Sequence, residues 1–162
     1  MDEVRVAEAG ELAGLLAVED AADKLFEAYG IVFPPSPATG DIAAAEDVFV
    51  VGRPAVGFAY VGDVDDGLHL HQLAVHPDHQ RRGLGTALLA AVFRRAAGRA
   101  VTLTTFRHIP WNAPWYAARG FTEVIEPGPE LTRLVAHEKW LSELGERVTL
   151  TSKVMSVTTR AE

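Results

Sequence analysis

Between Leu73 and Leu89 an apolar run stops at Pro77, a polar loop follows, and Gly83 and Gly85 open an amphipathic helical pattern. No other segment constrains the chain as strongly. Glycine at a helix start lets backbone approach a ligand closely, and the first free N–H groups there point outward at the positive end of the helix. A strand, loop and helix joined this way form an anion site, and a pyrophosphate fits it. Arg81 and Arg82 add positive charge at the same place. Two other phosphate motifs fail on these residues. A dinucleotide fingerprint needs a third glycine where Leu88 stands, and a P-loop needs a Gly-Lys-Ser/Thr run that the chain lacks. The bland alternative is a helix start that uses glycine for packing alone.

A local cationic loop is notable because the chain as a whole is acidic. Its 15 Lys and Arg against 22 Asp and Glu give a net charge of −7. Such a field opposes the broad phosphate contacts of a nucleic-acid binder and tolerates a cationic acceptor such as an amine. The absence of cysteine excludes disulfides, thiolate metal sites and a cysteine nucleophile. No window approaches the ~18 uninterrupted apolar residues of a membrane span. Met1 to Arg5 lacks the basic-then-apolar pattern of a signal peptide, so a cytoplasmic protein is expected. The length of 162 residues suits one domain over 1–162.

Val4-Arg5-Val6 reads as a first strand. From Glu11 to Tyr29 apolar residues recur at helical spacing, as one long helix or two short ones. The segment 31–41 holds Pro34, Pro35, Pro37 and Gly40 and is expected to be a mobile loop. Strands are expected at 48–51, 56–61 and 68–75, with a turn over 62–67. A helix follows at 84–97, a strand at 101–106, a short helix at 113–119 stopped by Gly120, and strands at 121–125 and 147–154 around a helical stretch at 131–144. This order predicts an α/β fold: a central mixed, mostly antiparallel sheet of six to seven strands with helices on both faces.

Gln80-Arg81-Arg82-Gly83-Leu84-Gly85 resembles the Gln/Arg-x-x-Gly-x-Gly/Ala signature of the GCN5-related N-acetyltransferase (GNAT) superfamily, bacterial small-molecule type. The preceding strand with Val75-His76-Pro77, and the later Asn112-Ala113-Pro114-Trp115-Tyr116 followed by Gly120-Phe121, resemble that family too. The resemblance implies acetyl-coenzyme A as cofactor and a single GNAT-like domain. It implies that backbone around Leu73, Ala74 and Val75 binds the pantetheine arm as an added strand. The amides of Arg81, Arg82, Gly83, Leu84, Gly85 and Thr86, after Gln80, would hold the pyrophosphate. An N–H near Leu73 would polarise the thioester carbonyl, and Tyr116 would protonate the departing thiolate. The family's usual Asn seven residues before this Tyr is Ile109 here. Asn112, four residues before it, is the remaining candidate for the pantetheine hydrogen bond.

An amine of pKa ~10.4 must lose a proton before it attacks, so a base is useful. In related enzymes a Glu often stands where this chain has His71, whose ordinary pKa of ~6.5 suits that task. The alternative is a core or substrate-contacting His71, with water taking the proton. His69 and His71 form an H-x-H pair on one strand face, but no third ligand is evident and no metal is expected. Trp111 and Trp115 divide between acceptor pocket and core. By analogy the segment 21–29 lies over the acceptor, with Phe26 and Tyr29 in contact and Leu25 buried. Direct transfer to the primary amine of a small acceptor in a ternary complex is the resulting expectation, with neither nucleic acid nor membrane as partner and a homodimer allowed. A protein N-terminal or lysine acetyltransferase and a non-catalytic acyl-CoA sensor are the alternatives.

Overall fold

A computed structural model of the chain describes residues 3–34 and 47–153, and the following concerns these alone. The part of the expected proline-rich loop at 35–41 lies outside them. The elements are β1 (Val4–Val6), a 3-10 turn (Ala9–Gly14), α1 (Leu15–Asp23), a second 3-10 turn (Lys24–Tyr29), β2 (Asp47–Val51), β3 (Gly57–Val64) and β4 (Gly67–Val75). Then come α2 (Leu84–Ala96), β5 (Val101–Phe106), α3 (Ala113–Ala117), β6 (Thr122–Glu123), α4 (Pro129–His137) and β7 (Arg147–Thr151). The strands form one seven-stranded sheet in the order β1-β2-β3-β4-β5-β7-β6. β1–β2, β2–β3, β5–β7 and β6–β7 pair antiparallel, while β4 and β5 run parallel. This is the mixed, mostly antiparallel α/β sheet expected. Among the described residues no helix is long and apolar enough to cross a membrane.

The chain divides into two compact units, Met1–Gly62 with Leu70–Val92, and Asp63–His69 with Phe93–Glu162. In the first, Leu15 and Val18 of α1 pack with Val48, Val50, Phe58, Tyr60 and Ala74 of β2, β3 and β4. Strand alternation builds the second. Val101 and Leu103 of β5 and Val148 and Leu150 of β7 are buried on one face. Thr102 and Thr104 pair across the strands with Thr151 and Thr149 on the other. Ser152 fixes the start of β5: its hydroxyl accepts the Val101 N–H at 2.8 Å, and its own N–H donates to the Val101 carbonyl at 2.9 Å.

The helical segment before Tyr29 breaks into α1 flanked by two 3-10 turns, closed by Gly30 at φ 80°. The buried stripe passes through Leu15, Val18 and Phe26 with partly buried Ala22, so Leu25 falls off it and is exposed, contrary to expectation. The expected turn at 62–67 is shorter. β3 continues through Asp63 to Val64, and the reversal is confined to Asp65 and Asp66, with Asp65 at φ 53°. Asp63 stays in the strand because Arg99 donates to its carboxylate at 3.0 Å. The Asp65 carboxylate accepts the Glu130 and Leu131 N–H groups at 2.9 and 3.2 Å, and the Glu130 carboxylate receives the Asp65 N–H in return. This reciprocal cap satisfies free amides at the start of α4, starting it at Pro129 rather than 131. The helix ends at His137, and Lys139–Glu143 continues as a 3-10 turn.

Candidate functional site

In the first unit the site grows from β4. Its parallel register with β5 has two pairs, Leu68↔Val101 and His69↔Thr102, and β4 continues beyond them to Val75. Ala74 and Val75 are buried and Leu73 is half-buried. The end of β4 is held on its β3 side, where the His76 N–H donates to the Val56 carbonyl at 2.8 Å. Gly57 makes that approach close: a Cβ there would stand 3.2 Å from the Ala74 carbonyl oxygen, 3.2 Å from Val51 Cγ1 and 3.3 Å from Leu88 Cδ1. Sequence reasoning missed Val56 and Gly57; the only signal was a glycine at the head of an apolar strand.

A 3-10 turn at Pro77–His79 follows, begun by His76, whose Nδ1 accepts the Asp78 N–H at 3.1 Å. Gln80 then turns its side chain back, and Nε2 donates to the Val75 carbonyl at 2.9 Å. That contact closes the loop onto the strand it left. Arg81 and Gly83 adopt left-handed φ values of 66° and 77°, and Gln80, Arg81, Arg82 and Gly83 are exposed. A left-handed arginine is an uncommon backbone state, found where the surroundings impose it. A Cβ on Gly83 would meet nothing within 4 Å. Leu84 is buried, so α2 is anchored while the amides of Gly83, Gly85 and Thr86 lie in the first turn, where no carbonyl precedes them for intrahelical bonding.

His71 is exposed on β4, its ring stacked on Tyr60 at 5.4 Å and 18°. Phe26 is buried and meets Phe33 edge-on at 5.2 Å, whereas Tyr29 is 50% exposed. Of the two, Tyr29 is the one open to a ligand.

In the second unit His69 is buried, and its Nδ1 shares a 2.8 Å hydrogen bond with the Thr102 hydroxyl. Among the described residues no three of His, Asp and Glu gather as metal ligands. Tyr116 lies in α3 after Pro114, with its backbone N–H donating to the Asn112 carbonyl at 3.1 Å. Its ring is enclosed edge-on by Trp115 at 5.0 Å and Phe121 at 5.4 Å. Burial pushes the phenol well above its usual 10, with Arg119 opposing weakly. Its hydroxyl makes no hydrogen bond with the described residues, nor is it among the fully enclosed unpaired atoms. The ring is therefore packed, and the hydroxyl is not completely sealed.

Asn112 Oδ1 accepts the Phe106 N–H at 3.3 Å, tying α3 to the end of β5. Ile109 is buried. The guanidinium of Arg119 covers Trp115 at 3.7 Å, and Trp111 is half-buried.

Residues 42–123, about half of the chain, match the acetyltransferase (GNAT) domain family, and they include the loop, β4, α2 and α3. The chain belongs to the GNAT acetyltransferase family. Mycothiol acetyltransferases of Frankia casuarinae and Parafrankia sp. are 38% identical over 98 residues and 34% identical over 119. The alignments cover 58% and 72% of this GNAT chain but 26% and 36% of those proteins, so it spans about a quarter to a third of their length. The ribosomal-protein-S18-alanine N-acetyltransferase of Escherichia coli superposes with a TM-score of 0.69 at 21% identity, covering 100% of this chain and 99% of that one. The N-acetylglutamate synthase of Neisseria gonorrhoeae, complexed with coenzyme A and N-acetyl-glutamate, gives 0.68 at 20% identity, covering 96% and 36%. These structures share the GNAT fold.

Proposed function

We propose that this chain is an acetyl-CoA-dependent N-acetyltransferase that transfers acetyl directly to the primary amine of a small acceptor. The observation that carries the reading is the Gln80–Thr86 junction: an exposed turn with two left-handed residues, closed onto β4 by Gln80 and leading into α2. Its shape suits a pyrophosphate, because open amides and two arginines meet there with no side chain at Gly83. Arg81, Arg82, Gly83, Leu84, Gly85 and Thr86 would hold that group by backbone. Leu73 and Ala74 would pair with the pantetheine arm as an added strand, since β4 outruns its register with β5. The Val75 carbonyl already accepts from Gln80 and offers less to that pairing. Acetyl-CoA, when bound, supplies the acetyl group as a thioester.

The Leu73 N–H stabilises negative charge on the carbonyl oxygen as the amine adds. His71, exposed and held by Tyr60, takes a proton from the acceptor ammonium, directly or through water, so that the neutral amine can attack. Tyr116 gives its proton to the departing sulfur; a phenol raised by burial keeps that proton at neutral pH. Tyr29 and Trp111 contact the acceptor. Asn112 has its carbonyl oxygen at Phe106, which leaves only its amide nitrogen for the cofactor. The relatives named mycothiol acetyltransferases favour a small-molecule acceptor over a protein one.

The test is release of CoA from acetyl-CoA across a panel of amines, amino acids and aminoglycosides. A thiol reagent reads it cleanly because the chain has no cysteine. Amine-dependent release whose acid limb moves in His71→Gln supports the whole scheme. Acetyl-CoA binding without release for any amine, or with lysine peptides alone, sinks it.

A further inference from the structure

The second unit contains a cleft of about 410 Å³ that takes no part in the scheme above. Its floor is the threonine face of β5 and β7, at Thr104 and Thr149, which stand opposite one another in the register. Its walls are the end of α4 and the 3-10 turn at Lys139–Glu143. A sheet face beneath a helix is ordinarily apolar, as the opposite face of these strands is at Leu103 and Leu150. The hydroxyl-bearing floor offers polar contacts between apolar ones from Val124, Val135 and Ala136.

Arg147 gives the cleft its chemistry. Its side chain is only 18% exposed, and its guanidinium lies over the Phe106 ring at 4.6 Å. Nη2 donates to the Thr104 hydroxyl at 3.1 Å and to Glu138 Oε1 at 3.5 Å, and the Thr104 hydroxyl in turn donates to Oε1 at 2.6 Å. These are its polar contacts among the described residues. Nε and Nη1 have no acceptor among the described residues and are not sealed from solvent. Burial lowers the affinity of Arg147 for its proton, and the Glu138 carboxylate opposes this. Lys139 is exposed on the same wall with no ion pair among the described residues. The remaining charge in the lining, Glu123, shares Arg107 with Glu146, at 3.3 and 2.7 Å respectively.

The geometry points to a binding site for a small hydroxylated monocarboxylate, with its carboxylate on Nε or Nη1 of Arg147 and its hydroxyl at Thr149 or Ser142. The two cations of the lining, Arg147 and Lys139, balance its two carboxylates, Glu138 and Glu123, and Arg107 relieves Glu123 only in part, so the lining has no surplus for a doubly charged ligand. That matches a monoanion, whereas a phosphate dianion would face Glu138 uncompensated. The volume falls within the range of small-ligand sites, ~300–1,000 Å³.

Titration of the full chain with lactate, lactamide and inorganic phosphate, followed by amide NMR without acetyl-CoA, tests this independently of acetyl transfer. Lactate should shift Thr104, Glu138, Arg147 and Thr149 saturably, lactamide should not, and phosphate at matched ionic strength should bind more weakly than lactate. Arg147→Gln should weaken lactate at least about tenfold, the loss of one charged hydrogen-bonding partner. Glu138→Gln keeps the acceptor for Thr104 and Arg147 but removes the competing charge, so it should tighten lactate several-fold. This gain cannot come from misfolding. Equal shifts with lactate and lactamide, tighter phosphate than lactate, or no gain in Glu138→Gln would overturn the site.

Discussion

Tyr116 shows how packing prepares a group for one chemical step. Trp115 and Phe121 fix its ring, burial raises its pKa, and the hydroxyl is left unbonded by the described residues. Tyr116→Phe keeps the ring packing and removes the proton, so kcat should fall by about 10²–10⁴ with little change in acetyl-CoA affinity. Unchanged kcat with a good acceptor would assign the proton to water. Asp23 makes a different prediction. Burial, with Glu19 and Asp20 nearby, pushes its carboxyl up to about 7. A carboxyl that holds its proton more tightly folded than unfolded stabilises the protein below ~3.9, and that stability is lost as pH rises to about 7. Asp23→Asn should match wild type near pH 4 and exceed it above pH 8, by about 1–2 kcal/mol after allowance for partial exposure. Thermal melts at the two pH values check it; an equal effect at both would place Asp23 in solvent. Residue identity was less legible than residue type. The sequence named Phe26 and Tyr29 together, but only the path of the buried stripe from Leu15 to Phe26 separates the buried ring from the exposed one.

At the scale of elements, two glycines bound the same strand-to-helix passage for opposite reasons. Gly57 is needed for space and Gly83 for backbone. Gly57→Ala should push on the Ala74 carbonyl and Leu88, costing about 1–3 kcal/mol as overpacking does and weakening acetyl-CoA where β4 is displaced. Gly83→Ala should cost about 1 kcal/mol from its positive φ yet keep cofactor affinity, while Gly83→Glu should abolish binding by placing a carboxylate at the anion site. Calorimetry on the three folded variants separates the cases; wild-type affinity in Gly83→Glu would remove the junction from the site. The Gly83 to Gly85 junction was legible because glycine, arginine and proline at fixed spacing have few other uses. The strand ends were not. Asp63 reads as a turn until Arg99 from across the fold holds it in β3, and α4 starts early because Asp65, far away in sequence, caps it. Partners distant in the chain decide both boundaries.

For the molecule as a whole, the order of elements and the mixed sheet were readable from apolar periodicity, since each strand and helix is specified locally. The order of strands within the sheet was not, because β7 follows β6 in the chain yet lies between β5 and β6. That placement has a consequence during synthesis on the ribosome. Until residues 147–151 emerge, β5 has a bare flank and the two-residue β6 has no sheet to join. Nascent chains stalled with Arg147 still inside the ribosome should be cut readily by protease in the second unit and prone to edge-to-edge association, and chains long enough to bring Ser152 outside it should lose both properties. Equal protease resistance on either side of that boundary would mean that the earlier strands find a stable arrangement without their last neighbour. This part of the protein is thus completed from within its sheet, by a strand that arrives after both of its neighbours.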